Sequence, residues 1–137
     1  MEDFVPFDLS IKLKEKGFKE ECLAYYHTDG ELLYNSDQYR GGNYKSLLRS
    51  YNSLPKNPIG CEQIDAPTIS QALKWLRDEK KLHIELWKVG KKPIKWCHTI
   101  TTLNHVGENQ GWSSGKRGDS YEQATIAGIE YVIDNLI

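Results

Sequence analysis

Residues 65–102 constrain the fold more than any other segment, because the spacing of their apolar residues changes from helical to alternating. The segment begins "DAPTISQALKWLRDEKKL", with Asp65 as a possible helix cap and Pro67 near the first helical position. Apolar residues follow at helical spacing: Ile69, Ala72, Leu73 and Leu76. Next comes "HIELWKVGKKPIKWCHTITTL", two strand-like runs around a turn at 90–93. The sequence therefore predicts a helix followed by an antiparallel hairpin.

The same order of elements is predicted nearer the N-terminus. "VPFDLSIKLKEKGF" is typical of a short helix with Pro6 in its first turn and Gly17 at its end. "ECLAYYHTDGELLYN" then gives two β-rich runs around Asp29-Gly30, a dipeptide suited to the positive φ of a type I′ turn. A helix followed by a hairpin thus occurs twice, with little identity between the two copies.

The segment "GDSYEQATIAGIEYVIDNLI" predicts a third helix. Ser120, with Gln123 three residues later, forms a capping box. The apolar residues cover a wide arc, as expected of a helix lying across a sheet; they form two rows, Tyr121–Ala124–Gly128–Val132 and Ile126–Ile129–Ile133–Ile137. We therefore expect residues 1–137 to form a single α+β domain with an antiparallel sheet of four or five strands, about three helices, and the order αββ-αββ-α.

Length and composition suit a cytoplasmic protein. A chain of 137 residues with 39% hydrophobic and 27% charged residues can bury a core without disulfides. The three cysteines are odd in number and lack a C-x-x-C spacing, which indicates free thiols in a reducing compartment. The acidic start "MEDFVPFDLS" lacks a signal-peptide core, and no apolar run approaches the ~20 residues of a membrane span. We expect no membrane association and no cofactor.

The charge is unevenly distributed along the chain. Residues 38–98 carry twelve Lys and Arg against five Asp and Glu, whereas the flanking segments are acidic. Aromatic residues interleave with these cations, a combination that holds the phosphates and bases of single-stranded nucleic acid. The candidate binding residues are Arg40, Tyr44, Lys45, Arg49, Lys91, Lys92, Lys95 and Trp96. The alternative interpretation is that the tryptophans pack in the core or across strands and the lysines form a solvated face.

Other chemistry has weaker support. "GWSSGKRG" is not a P-loop, because the gap between Gly111 and Gly115 is too short and Arg117 stands where Ser or Thr is needed. We expect no metal site, since Cys97 and His98 point to opposite faces of a strand and the other histidines (His27, His83 and His105) form no ligand motif. Cys61 is the best candidate nucleophile but lacks a catalytic signature.

Three segments carry a resemblance to a family: "LKEKGF…CLAYY", "APTISQALKWLRDEKKLHIEL" and "DSYEQATIAGIEYVIDNLI". They are similar to small uncharacterised proteins of Bacteroidetes genomes, prophages and mobile elements. The shared motifs are a cap, a first-turn proline and an amphipathic face, so they transfer no site residue. The resemblance implies a small cytoplasmic accessory protein of phage origin without an assigned activity.

Three functional hypotheses follow. The leading one is a non-enzymatic module that binds a host or phage protein. The second is a nucleic-acid-binding accessory protein that uses the basic, aromatic middle of the chain. The third is an enzyme built around Cys61 or a histidine. The partner and the oligomeric state stay open.

Overall fold

The structure is a computed structural model that describes residues 3–35, 48–53, 63–102 and 115–137 and the backbone at 111–112. Within these residues the predicted α+β class and the three helices are confirmed. The strands form two three-stranded antiparallel sheets, where the sequence predicted one sheet of four or five strands. The chain divides into two compact units, here called the N-terminal unit (Phe4–Thr68) and the C-terminal unit (Ile69–Ile137, with Asp3). The single domain over 1–137 stays a prediction.

The N-terminal unit begins with helix α1, Phe7–Glu15. Gly17 ends this helix, as predicted, with a φ of 98° that side chains disfavour. The Gly17 amide donates to the Lys14 carbonyl (3.1 Å) and the Phe18 amide to the Leu13 carbonyl (3.0 Å). These two bonds form a Schellman motif, which satisfies the last carbonyls of α1.

A three-stranded antiparallel sheet follows α1, in the order β2-β1-β3. Its strands are β1 (Ala24–Tyr26), β2 (Leu32–Tyr34) and β3 (Ile64–Ala66). The predicted hairpin at Asp29-Gly30 is confirmed, but its turn is not type I′. The His27 amide donates to the Glu31 carbonyl (2.9 Å) and only Gly30 of the dipeptide has positive φ. This is the geometry of a three-residue loop with a left-handed glycine.

The two faces of this sheet have different covers. On one face a core of Ala24, Tyr26, Ile64 and Ala66 packs with Phe4, Phe7, Ile11 and Leu32. On the other, the ring of Tyr25 lies 4.8 Å from that of Tyr51, in a 3-10 turn at Tyr51–Ser53. The sheet is therefore covered on both faces despite its short strands.

The predicted role of Asp65 as the cap of the second helix is wrong. Asp65 lies in β3 with its side chain fully buried. Its carboxylate accepts from the amides of Tyr51 (3.0 Å) and Asn52 (2.9 Å). Burial raises the pKa of Asp65, and the two amides oppose that shift because they stabilise the charged form. The side chain thus holds the 3-10 turn against the sheet.

The C-terminal unit contains α2 (Ile69–Lys80), β4 (Leu82–Val89), β5 (Lys95–Thr102) and α3 (Tyr121–Asn135). The strands form a second antiparallel sheet, β4-β5-β6, whose third strand β6 is only Gly111–Trp112. Strands β4 and β5 pair from Leu82↔Thr102 to Val89↔Lys95. The predicted helix and hairpin in residues 65–102 are confirmed.

Helix α3 packs on one face of the β4–β5 hairpin, which we call the inner face. The wide apolar arc predicted for α3 is confirmed by its buried residues: Ala124, Thr125, Gly128, Ile129, Val132 and Ile133. Gly128 allows the close approach, because a Cβ there would lie 3.0 Å from Ile84 Cγ2 and 3.3 Å from His98 Cγ. Among the described residues, no helix has the length and apolarity needed to cross a bilayer.

The N-terminus of α3 is capped as predicted. The Ser120 hydroxyl accepts from the Gln123 amide (3.2 Å). In return, the Gln123 side-chain oxygen accepts from the amide of Asp119 (3.0 Å) rather than that of the cap residue. The backbone before the helix is therefore fixed on both sides of Ser120.

The buried ring of His98 is expected to make the free energy of unfolding depend on pH. Its ring is 1% exposed beneath α3. Burial lowers its pKa below the ordinary histidine value of 6.5; Lys116 acts in the same direction, and a backbone hydrogen bond at Ala124 opposes it. The unfolded chain therefore binds a proton more readily than the native protein. We expect the free energy of unfolding to fall as the pH drops from about 7.5 through the unfolded pKa of His98.

Urea unfolding of the wild type and His98→Gln at several pH values checks this expectation. The pH dependence should be weaker in His98→Gln. His27→Gln, which changes a ring with a side-chain exposure of 42%, is the control and should keep the wild-type dependence. Equal dependence in wild type and His98→Gln would contradict the assignment.

Candidate nucleic-acid interface

The end of the β4–β5 hairpin, residues 87–96, carries the predicted binding residues that the structure brings together. We call this segment the hairpin tip. Lys91 and Lys92 lie in the turn and are exposed. Neither forms an ion pair with any residue in the described ranges. Both ammonium groups can therefore meet a ligand without displacing a carboxylate of those ranges.

Trp87 is the most exposed indole among the described side chains. It lies on the outer face of the hairpin, opposite the face that α3 covers, and is 54% exposed. Its Nε1 donates to Thr99 Oγ1 across the strand pair (3.2 Å). This bond holds the ring in one orientation and satisfies its only polar group. The open part of the ring can then stack against another flat ring.

Trp96, which the sequence analysis proposed for stacking, is half-buried on the inner face. The Lys88 ammonium lies 5.3 Å from the centre of its ring. The ring of Tyr121 meets it edge-on, with centroids 5.3 Å apart. Trp96 is thus already packed against two side chains, while Trp87 has the open face.

A second segment joins the hairpin tip through backbone hydrogen bonds. The Trp96 amide donates to the Gly118 carbonyl (2.8 Å), and the Gly118 amide donates back (2.9 Å). This pairing brings exposed Lys116 and Arg117 to β5 and places Asp119 beside Lys95, with which it forms an ion pair. A Cβ at Gly118 would lie 2.7 Å from the Ala124 amide nitrogen, so the position requires glycine.

Sequence reasoning did not assign Lys116 and Arg117 to the interface. Their segment, "GKRGDS", follows a glycine-rich stretch that lacks the spacing of a P-loop, so its sequence predicts no phosphate site. The available signal was the glycine two residues before the Ser120 cap, which indicates a close backbone approach just ahead of the helix. That signal does not name the strand that approaches.

Of the other four predicted binding residues, the structure describes one, Arg49. Arg49 is exposed in the N-terminal unit, where its backbone pairs with Cys22. Arg40, Tyr44 and Lys45 fall outside the described residues. Of the predicted binding residues that the structure describes, the hairpin tip carries Lys91, Lys92, Lys95 and Trp96.

The cysteines and histidines considered for catalysis or metal binding form no cluster of ligands among the described residues. Cys61 and His105 fall outside the described residues. Cys97 and His98 face opposite sides of β5, as predicted, since Cys97 pairs with Trp87 and His98 with Leu86. Among the described residues, no three His, Cys, Asp or Glu side chains could hold a metal ion. Burial, with Asp65 nearby, raises the pKa of the Cys22 thiol, which disfavours the nucleophilic thiolate.

Comparison with known proteins adds no relative: no family model, curated protein or solved structure matches this chain. Functional inference therefore depends on the geometry and charge of the described residues.

Proposed function

We propose that the protein binds single-stranded nucleic acid through the hairpin tip. The observation that carries the proposal is Trp87, an exposed indole held by Thr99 on the same hairpin as exposed Lys91 and Lys92. This arrangement supports nucleic acid better than the protein partner that the sequence favoured. We keep, as part of the proposal, the cytoplasmic accessory role implied by the family resemblance.

The proposed binding mode separates two tasks. A nucleobase stacks on Trp87, an interaction worth about 1–3 kcal/mol per base and tolerant of sequence. Lys91 and Lys92 contact the phosphates, which supplies affinity that salt weakens. Bases in a duplex are already stacked and paired, so their faces are not available to the indole. The proposal therefore favours single strands over duplexes.

Fluorescence anisotropy with labelled single- and double-stranded DNA and RNA, at several salt concentrations, tests the proposal. We expect Trp87→Ala to weaken single-strand binding about 5- to 150-fold, from the loss of one stacked base. Trp87→Phe keeps a flat ring and should retain more of the affinity. Lys91→Glu/Lys92→Glu should weaken binding and reduce the slope of log K against log salt by about 1.4, for two lost phosphate contacts.

The control is Lys74→Glu/Arg77→Glu, which reverses two exposed charges on α2. It should bind more tightly than the hairpin variant, although both have the same net charge. Absence of binding at low salt would contradict the proposal. Equal affinity for duplexes, or equal losses in both charge variants, would contradict the binding mode. An acidic protein captured through the hairpin tip would restore the protein-partner hypothesis.

A further inference from the structure

We propose that Asp119 competes with nucleic-acid phosphate for Lys95 and thereby limits the affinity of the hairpin tip. The inference rests on the proposed function and deepens it. It identifies Lys95 as a phosphate-binding residue. In the free protein, the Asp119 carboxylate neutralises the charge of Lys95.

The backbone fixes the meeting of these two side chains. Lys95 is the first residue of β5 and pairs with Val89, the last residue of β4. Its neighbour Trp96 pairs antiparallel with Gly118, so Asp119 lies opposite Lys95 and their side chains form an ion pair. The contact joins residues 24 positions apart in sequence. It therefore results from the fold and not from proximity along the chain.

Lys95 lies where it can contact a single-stranded nucleic acid whose base stacks on Trp87. Trp87 pairs with Cys97, so Lys95, two residues away on β5, shares the outer face with the indole. Lys95 and Thr99 are the two diagonal neighbours of Trp87 on β5. The indole donates to Thr99, so its ring is directed away from Lys95. A phosphate next to the stacked base can approach the Lys95 ammonium from the side that the ring leaves open.

The Asp119 carboxylate is not needed for the cap of α3. The Ser120 hydroxyl makes the cap, and Asp119 contributes its backbone amide to Gln123. The Asp119 side chain is 73% exposed, against 35% for Lys95. The carboxylate can thus move into solvent when a phosphate replaces it, while the backbone keeps its bonds.

The competition has a measurable thermodynamic signature. A phosphate contact adds to the salt slope of binding because it releases counterions from the nucleic acid. The carboxylate opposes this contact in two ways: it must be displaced from Lys95, and it repels the phosphate. Removing its charge while keeping its shape should strengthen single-strand binding and make the slope steeper.

The test is Asp119→Asn in the anisotropy titration with a labelled single-stranded oligonucleotide. We expect binding roughly two- to five-fold tighter, the range associated with an exposed ion pair. The slope of log K against log salt should steepen by up to about 0.7, the value for one full phosphate contact, because the carboxylate no longer competes for Lys95. In a Lys95→Gln background the same Asp119→Asn change should give no such gain. Circular dichroism should show the same helix content in wild type and Asp119→Asn.

The matched control is Asp78→Asn on α2. Asp78 also pairs with a lysine, Lys74 (2.7 Å), with side-chain exposures of 52% and 70%. The variant therefore makes the same change in net charge away from the hairpin tip. Equal gains in Asp78→Asn and Asp119→Asn, or a gain that persists without Lys95, would overturn the inference while the proposed function stands. Absence of wild-type binding would overturn the proposed function, and the inference with it.

Discussion

Asp65→Ala is expected to lower the free energy of unfolding by about 2–4 kcal/mol, because it removes a buried acceptor from two amides. The amides of Tyr51 and Asn52 lose their partner, and the 3-10 turn loses its attachment to β3. The Asn52 side chain accepts from the Asp65 amide and donates to the Phe18 carbonyl. Loss of the turn's attachment weakens these two hydrogen bonds as well. Urea unfolding monitored by circular dichroism measures the loss.

Asp29→Ala is the matched control for this prediction. Asp29 also accepts from a backbone amide, that of Glu31 (2.9 Å), but its side chain is 64% exposed. Water can replace it there, so the expected loss is below about 1 kcal/mol. Similar losses in the two variants would show that the Asp65 bonds add little beyond an ordinary turn contact.

The sign of the pH effect gives a second check on Asp65. Because burial raises its folded pKa above 3.8, the native protein binds the proton more readily than the unfolded chain. The stability that Asp65 contributes therefore decreases as the pH rises from 3.8 through the folded pKa. The loss on Asp65→Ala should be smaller at about pH 7 than at about pH 4.

Gly128→Val is expected to destabilise the C-terminal unit by about 2–4 kcal/mol, because it adds a branched side chain where α3 touches the sheet. Its Cβ alone would lie 3.0 Å from Ile84 Cγ2 and 3.3 Å from the His98 ring. Both neighbours are buried and have little room to move. The helix must therefore shift away from β4 and β5. Urea unfolding reports the loss, and near-ultraviolet circular dichroism reports changed packing.

Ala127→Val separates this steric effect from helix propensity. It places the same β-branched residue one position earlier, where the side chain is only half-buried. The propensity cost alone is below about 1 kcal/mol. If Ala127→Val were as destabilising as Gly128→Val, the close approach at Gly128 would not be the cause.

The parts of the fold that sequence predicted depend on neighbours in the chain. Gly17 ends α1 and Ser120 caps α3 through bonds that span three to five residues, so local residue types specify them. The misassigned Asp65 shows the opposite case. An acid shortly before a helix is typical of a cap, yet its partners are amides 13 and 14 residues away. Local pattern does not contain that pairing.

The division of the strands between two sheets also depends on contacts between residues that are distant along the chain. Each hairpin was predicted from its own turn and alternation. The third strand of the first sheet comes from Ile64–Ala66, beyond a long segment with several Pro and Gly residues. Choice of partner strand is a non-local event, and no turn signal specifies it.

The candidate site was only partly predictable for a related reason. Alternation along β4 and β5 separates Trp87 from Trp96, but it does not say which face a helix covers. Helix α3 takes the side of Ile84 and His98, and Trp87 is left exposed on the other. The Lys95–Asp119 pair likewise requires the long-range pairing of Trp96 with Gly118.

The described tryptophan side chains differ in exposure, so the intrinsic fluorescence of the protein can report binding at one of them. Trp75 is 5% exposed and Trp87 54% exposed, so water-soluble quenchers should reach Trp87 far more readily. Trp96 lies between them in exposure, beside Lys88 and Tyr121. A base stacked on Trp87 would both quench its long-wavelength emission and shield it from iodide. Unlabelled oligonucleotides could then be titrated by intrinsic fluorescence, with Trp87→Phe identifying the responding ring.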